Sequence, residues 1–130
     1  MSISVRIVTP RAIAFEGDAL RVEAPGHEGE FGVLPQHLPY LTLSRPGRLA
    51  VTDTDGKQHD FIVGAGFAEA GPERLTILTD LCEAVGSYPS DQAQTDLVQA
   101  EAALGKAAQG TAAWDTAERN AFLARARLAH

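Results

Sequence analysis

The sequence has no apolar run approaching the roughly 20 residues that a membrane helix needs, so no span and no direct membrane insertion are expected. Cysteine is almost missing. The lone Cys82 can form no internal disulfide and has no cysteine partner for a metal, which points to a reducing compartment. Basic charge is in deficit: a net charge of −6 and a pI near 5.1 argue against nucleic acid or anionic lipid as the main partner, because either would need a basic face. The local motifs of phosphate binding, serine hydrolysis and zinc proteolysis (GxxxxGKS/T, GxSxG, HExxH) are absent. Gly64, Gly66 and Gly71 lack GxGxxG spacing and read as turn residues. A signal or transit peptide is not expected, because Met1 leads almost at once into the alternating run Ser2-Ile3-Ser4-Val5-Arg6-Ile7.

What is present is the composition of a folded domain. With 45% hydrophobic and 22% charged residues, the 130-residue chain can build a core, as one domain or as a compact one with an appendage. Up to about residue 88 the hydrophobic signal has period two and is punctuated by Gly and Pro, as in a sandwich or barrel of short strands. Ile3, Val5 and Ile7 should share a face, followed by Ile13 and Phe15, then Leu20, Val22 and Ala24. Leu49 and Val51, Phe61 and Val63, and Leu75, Ile77 and Thr79 repeat the pattern. Asp55-Gly56 marks a hairpin, since Gly supplies the positive φ of a tight turn. Breakers at Gly64-Ala65-Gly66 and Gly71-Pro72 surround a short apolar piece, Phe67-Ala68, and predict a bend or bulge between strands. No helix is expected before Pro89.

After Tyr88-Pro89 glycine becomes rare, proline vanishes and alanine dominates, which favours helix and sets a domain boundary of 1–88 against 89–130. Ser90 is the expected N-cap of a first helix carrying the stripe Ala93, Leu97, Ala100, Leu104 and Ala107. Gly110 can end it and Thr111 cap a second, with the stripe Trp114, Ala117, Ala121, Ala124 and Leu128. So short a connection makes the helices antiparallel neighbours, and alanine lets them approach closely. Such a pair is marginal alone and should rest on another surface.

Candidate chemistry is thin. His27, His37 and His59 with Glu28 or Glu30 could gather a metal, but they read as loop and strand-edge histidines, and no metal site or cofactor is assigned. His130 is terminal. The pairs Glu28/Glu30 and Asp53/Asp55 read as solvated loop carboxylates, because nothing indicates a cleft that would separate their pKa values. The segment Pro25–Gly47 is the most informative: too rich in Gly and Pro for one strand, it still carries Phe31, Val33, Leu34, Leu38, Tyr40, Leu41 and Leu43. That apolar surface must fold onto the core or meet a partner, and the residues alone leave both open.

Within it, Glu28-Gly29-Glu30-Phe31-Gly32-Val33-Leu34-Pro35-Gln36-His37-Leu38-Pro39, then Leu41-Thr42 and Pro46-Gly47, resembles the EGxxGxxPxHxPxxT…PG run of the epsilon subunits of bacterial F-type ATP synthases. The order of strands, hairpin, Gly-Ala-Gly-Phe segment and alanine-rich helices extends the resemblance over essentially the whole chain. It implies a mainly β protein with an α appendage: a flattened β-sandwich of about ten short strands, then an antiparallel two-helix hairpin. It also implies a non-catalytic central-stalk subunit that links the gamma subunit to the c-ring, peripheral on the cytoplasmic face of the inner membrane. The ring-facing loop would hold Glu30, Gly32, Val33, Leu34, Pro35 and His37.

The resemblance further implies an alternative, inhibition of ATP hydrolysis by an extended hairpin whose Arg119, Arg125 and Arg127 would meet the catalytic beta subunits. Relatives that bind ATP there carry an I/L-D-x-x-R-A motif, matched by Thr95-Asp96-Leu97-Val98-Gln99-Ala100. Asp96 and Ala100 fit, but Gln99 stands for the arginine and Thr95 for the aliphatic residue. Losing a charged phosphate donor costs on the order of 1.5–3 kcal/mol, so any nucleotide site is expected to be weak or absent.

Overall fold

A computed structural model describes residues 2–26, 29–33 and 40–129, with backbone alone at 26, 29–31, 33 and 40. Among the described residues nine strands come first, where the resemblance implies about ten: β1 (Ile3–Val8), β2 (Ile13–Gly26), β3 (Gly29–Val33), β4 (Tyr40–Ser44), β5 (Gly47–Asp53), β6 (Gln58–Val63), β7 (Gly66–Ala70), β8 (Arg74–Thr79) and β9 (Cys82–Ala84). Two helices follow, α1 (Ser90–Lys106) and α2 (Ala112–Leu128). The fold is the β-sandwich that the resemblance implies, one of the two forms that the alternation left open, with the helical hairpin expected of the alanine-rich tail.

Pairing runs β1-β8-β7-β4-β2-β5-β6-β9, with β3 added to β2. The 14-residue β2 is the strand that makes two layers from one sheet. Its first half pairs with β1 and its second half with β5 and β3. Between the layers lie Ile3, Val5, Ile7, Val22, Leu49, Val51, Leu75 and Ile77, all essentially without solvent contact. Burying a side chain of this size stabilises by about 1.5–3 kcal/mol, so this alternation holds the sandwich together. Phe15 and Phe61 close one side of the core edge to face, with centroids 5.8 Å apart.

Two expected core residues lie outside it. A register shift between Ile7 and Val8 turns Ile13 outward, and a second between Ala19 and Arg21 changes the phase of β2, so that Ala19 and Val22 are buried and Leu20 is exposed. The bulge is where β2 exchanges one partner strand for another, a feature that local alternation cannot show. Phe67-Ala68 is likewise no mere bend: it belongs to β7, whose Gly66 lies so close to Leu78 that a Cβ would collide with the Leu78 carbonyl oxygen.

The Asp55-Gly56 hairpin joins β5 to β6 as expected, with Gly56 at φ +84°. Asp53 Oδ1 accepts the backbone N–H groups of Asp55 and Lys57, each at 2.9 Å. In the helical hairpin, Ala93 and Ala100 of α1 and Ala117, Ala121 and Ala124 of α2 are buried. Thr111 caps α2 by accepting the Trp114 N–H at 3.2 Å, after Gly110 turns the chain at φ +89°. Ser90 is not the cap of α1. Pro89 holds that position in extended geometry, and Ser90 is the first helical residue.

Candidate interaction surface and the docked hairpin

The strand register builds an apolar row on the outside of one layer. Leu43 of β4 pairs with Phe67 of β7, Phe67 with Leu78 of β8, Leu78 with Val8 of β1, and Val8 with Ile13 of β2. Leu43, Phe67, Leu78 and Ile13 are each about half exposed, and Leu41, one step along β4, is 70% exposed. A shallow hollow of about 240 Å³ lies among Leu41, Phe67, Glu69, Thr76 and Leu78, and another of about 370 Å³ between Pro10 and Phe67. Single exposed leucines are ordinary, but five apolar residues in register across five strands form a patch suited to a protein partner. Of the two fates open to Leu41 and Leu43, the structure shows exposure.

Glu30, Gly32 and Val33 are on β3, paired with Pro25, Glu23 and Val22 of β2. Leu34, Pro35 and His37 lie outside the described residues, as do His27 and Glu28. His59 is tied to Asp53, with Nε2 and Oδ2 2.9 Å apart, and this hydrogen bond holds the Asp53 carboxyl below its ordinary range. Among the described residues no three His, Cys, Asp or Glu side chains are grouped to hold a metal ion.

The hairpin rests on the sandwich through α2, which packs on β5 and β6. Arg127 Nε donates to Glu83 Oε1 at 2.5 Å and Nη2 to Oε2 at 3.3 Å, tying α2 to β9 across 44 residues of sequence. Its guanidinium lies 3.7 Å from the centroid of the Tyr88 ring. The Tyr88 hydroxyl donates to Asp96 Oδ2 at 2.5 Å, and Gln92 Nε2 donates to Oδ1 at 2.9 Å. These contacts lower the Asp96 pKa, the tyrosine first, and the same bond raises that of Tyr88.

Asp96 and Ala100 line a cavity of about 390 Å³ between the helices, together with Gln99, Asn120 and Arg127. The expected nucleotide residues are therefore brought together, with an amide where the motif has a guanidinium. The three arginines have different surroundings: Arg127 is on Glu83, Arg125 lies 3.6 Å from Glu101 in a half-exposed pair, and Arg119 lines a separate groove with Arg45 and Phe122. Tyr88 and Glu83 were not candidates from the sequence, because a boundary residue and a strand glutamate give no signal until the fold joins them.

Residues 2–85 match the family model described as ATP synthase, Delta/Epsilon chain, beta-sandwich domain. The chain is 41% identical over 102 residues to the ATP synthase epsilon chain of Desulfosudis oleivorans, covering 78% of this chain and 71% of that one. It is 40% identical over 100 residues to the epsilon chain of a Bradyrhizobium species, covering 77% and 73%. Among solved structures, a chain of the Euglena gracilis mitochondrial ATP synthase OSCP/F1/c-ring assembly superposes with a TM-score of 0.85 at 19% identity, over 98% of this chain and 80% of that one.

Proposed function

The chain belongs to the ATP synthase epsilon family, and from that premise we propose that it is the non-catalytic rotor subunit joining the gamma subunit to the c-ring, thereby coupling proton flow to ATP synthesis. The observation that carries this reading is the outward row Leu43–Phe67–Leu78–Val8–Ile13. A rotor part needs a rigid body with an apolar face for its shaft, and a sheet face braced by the buried core behind it meets that need. The gamma subunit is assigned to this face. The end of the sandwich carrying β3, with Glu30, Gly32 and Val33, is assigned to the polar loops of the c-ring, and so, from the sequence run alone, are Leu34, Pro35 and His37.

Residues 1–88 are the working domain and 89–130 the accessory hairpin. No described helix is long and apolar enough to cross a membrane, and the net charge of −6 disfavours anionic lipid. Membership of the family supports a peripheral position on the cytoplasmic face of the bacterial inner membrane, held by protein partners. Co-purification tests the main assignment. A tagged chain should retain gamma, and the Leu43→Thr/Phe67→Thr/Leu78→Thr variant, which keeps good strand formers, should lose it. Undiminished retention by a folded variant would place gamma elsewhere.

The inhibitory alternative gives the hairpin the principal role, through Arg119, Arg125 and Arg127. The docked hairpin, with Arg127 engaged on Glu83, supports the accessory reading. Truncation after Tyr88 in the assembled synthase should leave ATP hydrolysis unchanged; a several-fold rise would make the hairpin an inhibitor.

A further inference from the structure

The hairpin is fastened to the sandwich by unequal means. Its apolar seam is built mainly of alanines, and α2 meets the sheet at β5 and β6. Side chains that short bury little surface, so apolar packing alone holds the hairpin weakly. The polar contacts are better placed. Arg127 and Glu83 are 10% and 20% exposed at the side chain, far more sheltered than the Arg6–Glu16 and Arg125–Glu101 pairs, which are half exposed. A sheltered, two-contact guanidinium–carboxylate pair resists screening, and the tyrosine ring beneath the guanidinium adds attraction while fixing its plane.

We infer that Glu83, Tyr88, Asp96 and Arg127 form a self-contained latch that holds the helical hairpin down without any bound ligand. The four residues sit on four consecutive parts of the chain: β9, the linker, α1 and α2. Each contact joins two of these parts, and Tyr88 is the shared member, receiving Arg127 on its ring and reaching Asp96 with its hydroxyl. Breaking the tyrosine contacts therefore frees the linker from both helices at once. The same arrangement occupies the polar wall of the interhelical cavity. Asp96 is engaged by Tyr88 and Gln92, and Arg127 by Glu83, so an anionic ligand entering there would have to displace Glu83 from the guanidinium. The inference is independent of which partner the outer sheet face receives.

Hydrogen exchange on the isolated full chain tests it. Relative to the wild type, Arg127→Gln should speed exchange of α2 amides, and Tyr88→Phe, which frees Asp96, exchange of α1 amides, each by about tenfold or more, with the amides of β1 and β8 unchanged. Should Arg127→Gln loosen the whole molecule, Tyr88→Phe decides, because it keeps the ring and removes only the hydroxyl. Millimolar ATP should leave α2 exchange in the wild type unaltered. Unchanged α1 exchange in Tyr88→Phe, or several-fold slowing of α2 exchange by ATP in the wild type, would overturn the inference.

Discussion

Tyr88 reaches Asp96 with a hydroxyl-to-carboxylate hydrogen bond of 2.5 Å, and it is the link between the end of the sandwich and the first helix. The bond needs a neutral tyrosine and an ionised aspartate, so it has a pH window. The Asp96 pKa is lowered from 3.8, by Tyr88 first and Gln92 second; its contribution is present above 3.8 and is lost as the pH falls through the folded value. The Tyr88 pKa is raised from 10.0, by Asp96 first; its contribution is complete below 10.0 and is lost as the pH rises through the folded value. Arg127 and Glu83 also face the tyrosine, with opposite effects on it. Protection of α1 amides, corrected for intrinsic exchange rates, should stay level between these limits and fall outside them, and Asp96→Asn should diminish the acid limb.

Cys82 packs on the core in register with Val63, and burial first and Glu83 second push its thiol up to about 11. Two units above the ordinary 9.0 leave on the order of a hundredfold less thiolate at neutral pH, so alkylation of the folded chain should be markedly slower than in denaturant. Equal rates in a timed thiol-labelling experiment would contradict the packing of β9.

Two leucines separate the core from its imitation. Leu75 is fully buried and Leu20 is 41% exposed at the bulge of β2, although both lie in alternating runs. Leu75→Ala should cost about 2–5 kcal/mol in chemical denaturation, and Leu20→Ala less than about 1 kcal/mol. Comparable losses would mean that β2 has no change of phase.

Those leucines also show what could be read in advance. Ile3, Val5 and Ile7 alternate on a strand with one partner set, and Asp55-Gly56 fixes its own turn, so local chemistry was enough for both. The alanine stripes of α1 and α2 were legible for the same reason. Leu20 and Ile13 were misplaced because their orientation depends on where β2 changes partner, which is a property of the whole sheet. The outer row was hidden differently: Leu43, Phe67 and Leu78 become neighbours only when β4, β7 and β8 align. The latch joins Glu83 to Arg127 over 44 residues, beyond the reach of any local pattern.

The central claim is that the outer face of the sandwich seats this subunit on the rotor, and ATP-driven proton pumping by the reconstituted synthase tests it most directly. Burying a leucine or phenylalanine is worth about 1.5–3 kcal/mol, so replacing Leu43, Phe67 and Leu78 together with threonine removes enough apolar contact to break a seat built on them. The account predicts that vesicles carrying the triple variant hydrolyse ATP but pump few or no protons, while the variant alone unfolds at nearly the same denaturant concentration as the wild type. Full pumping with the folded variant incorporated would contradict it.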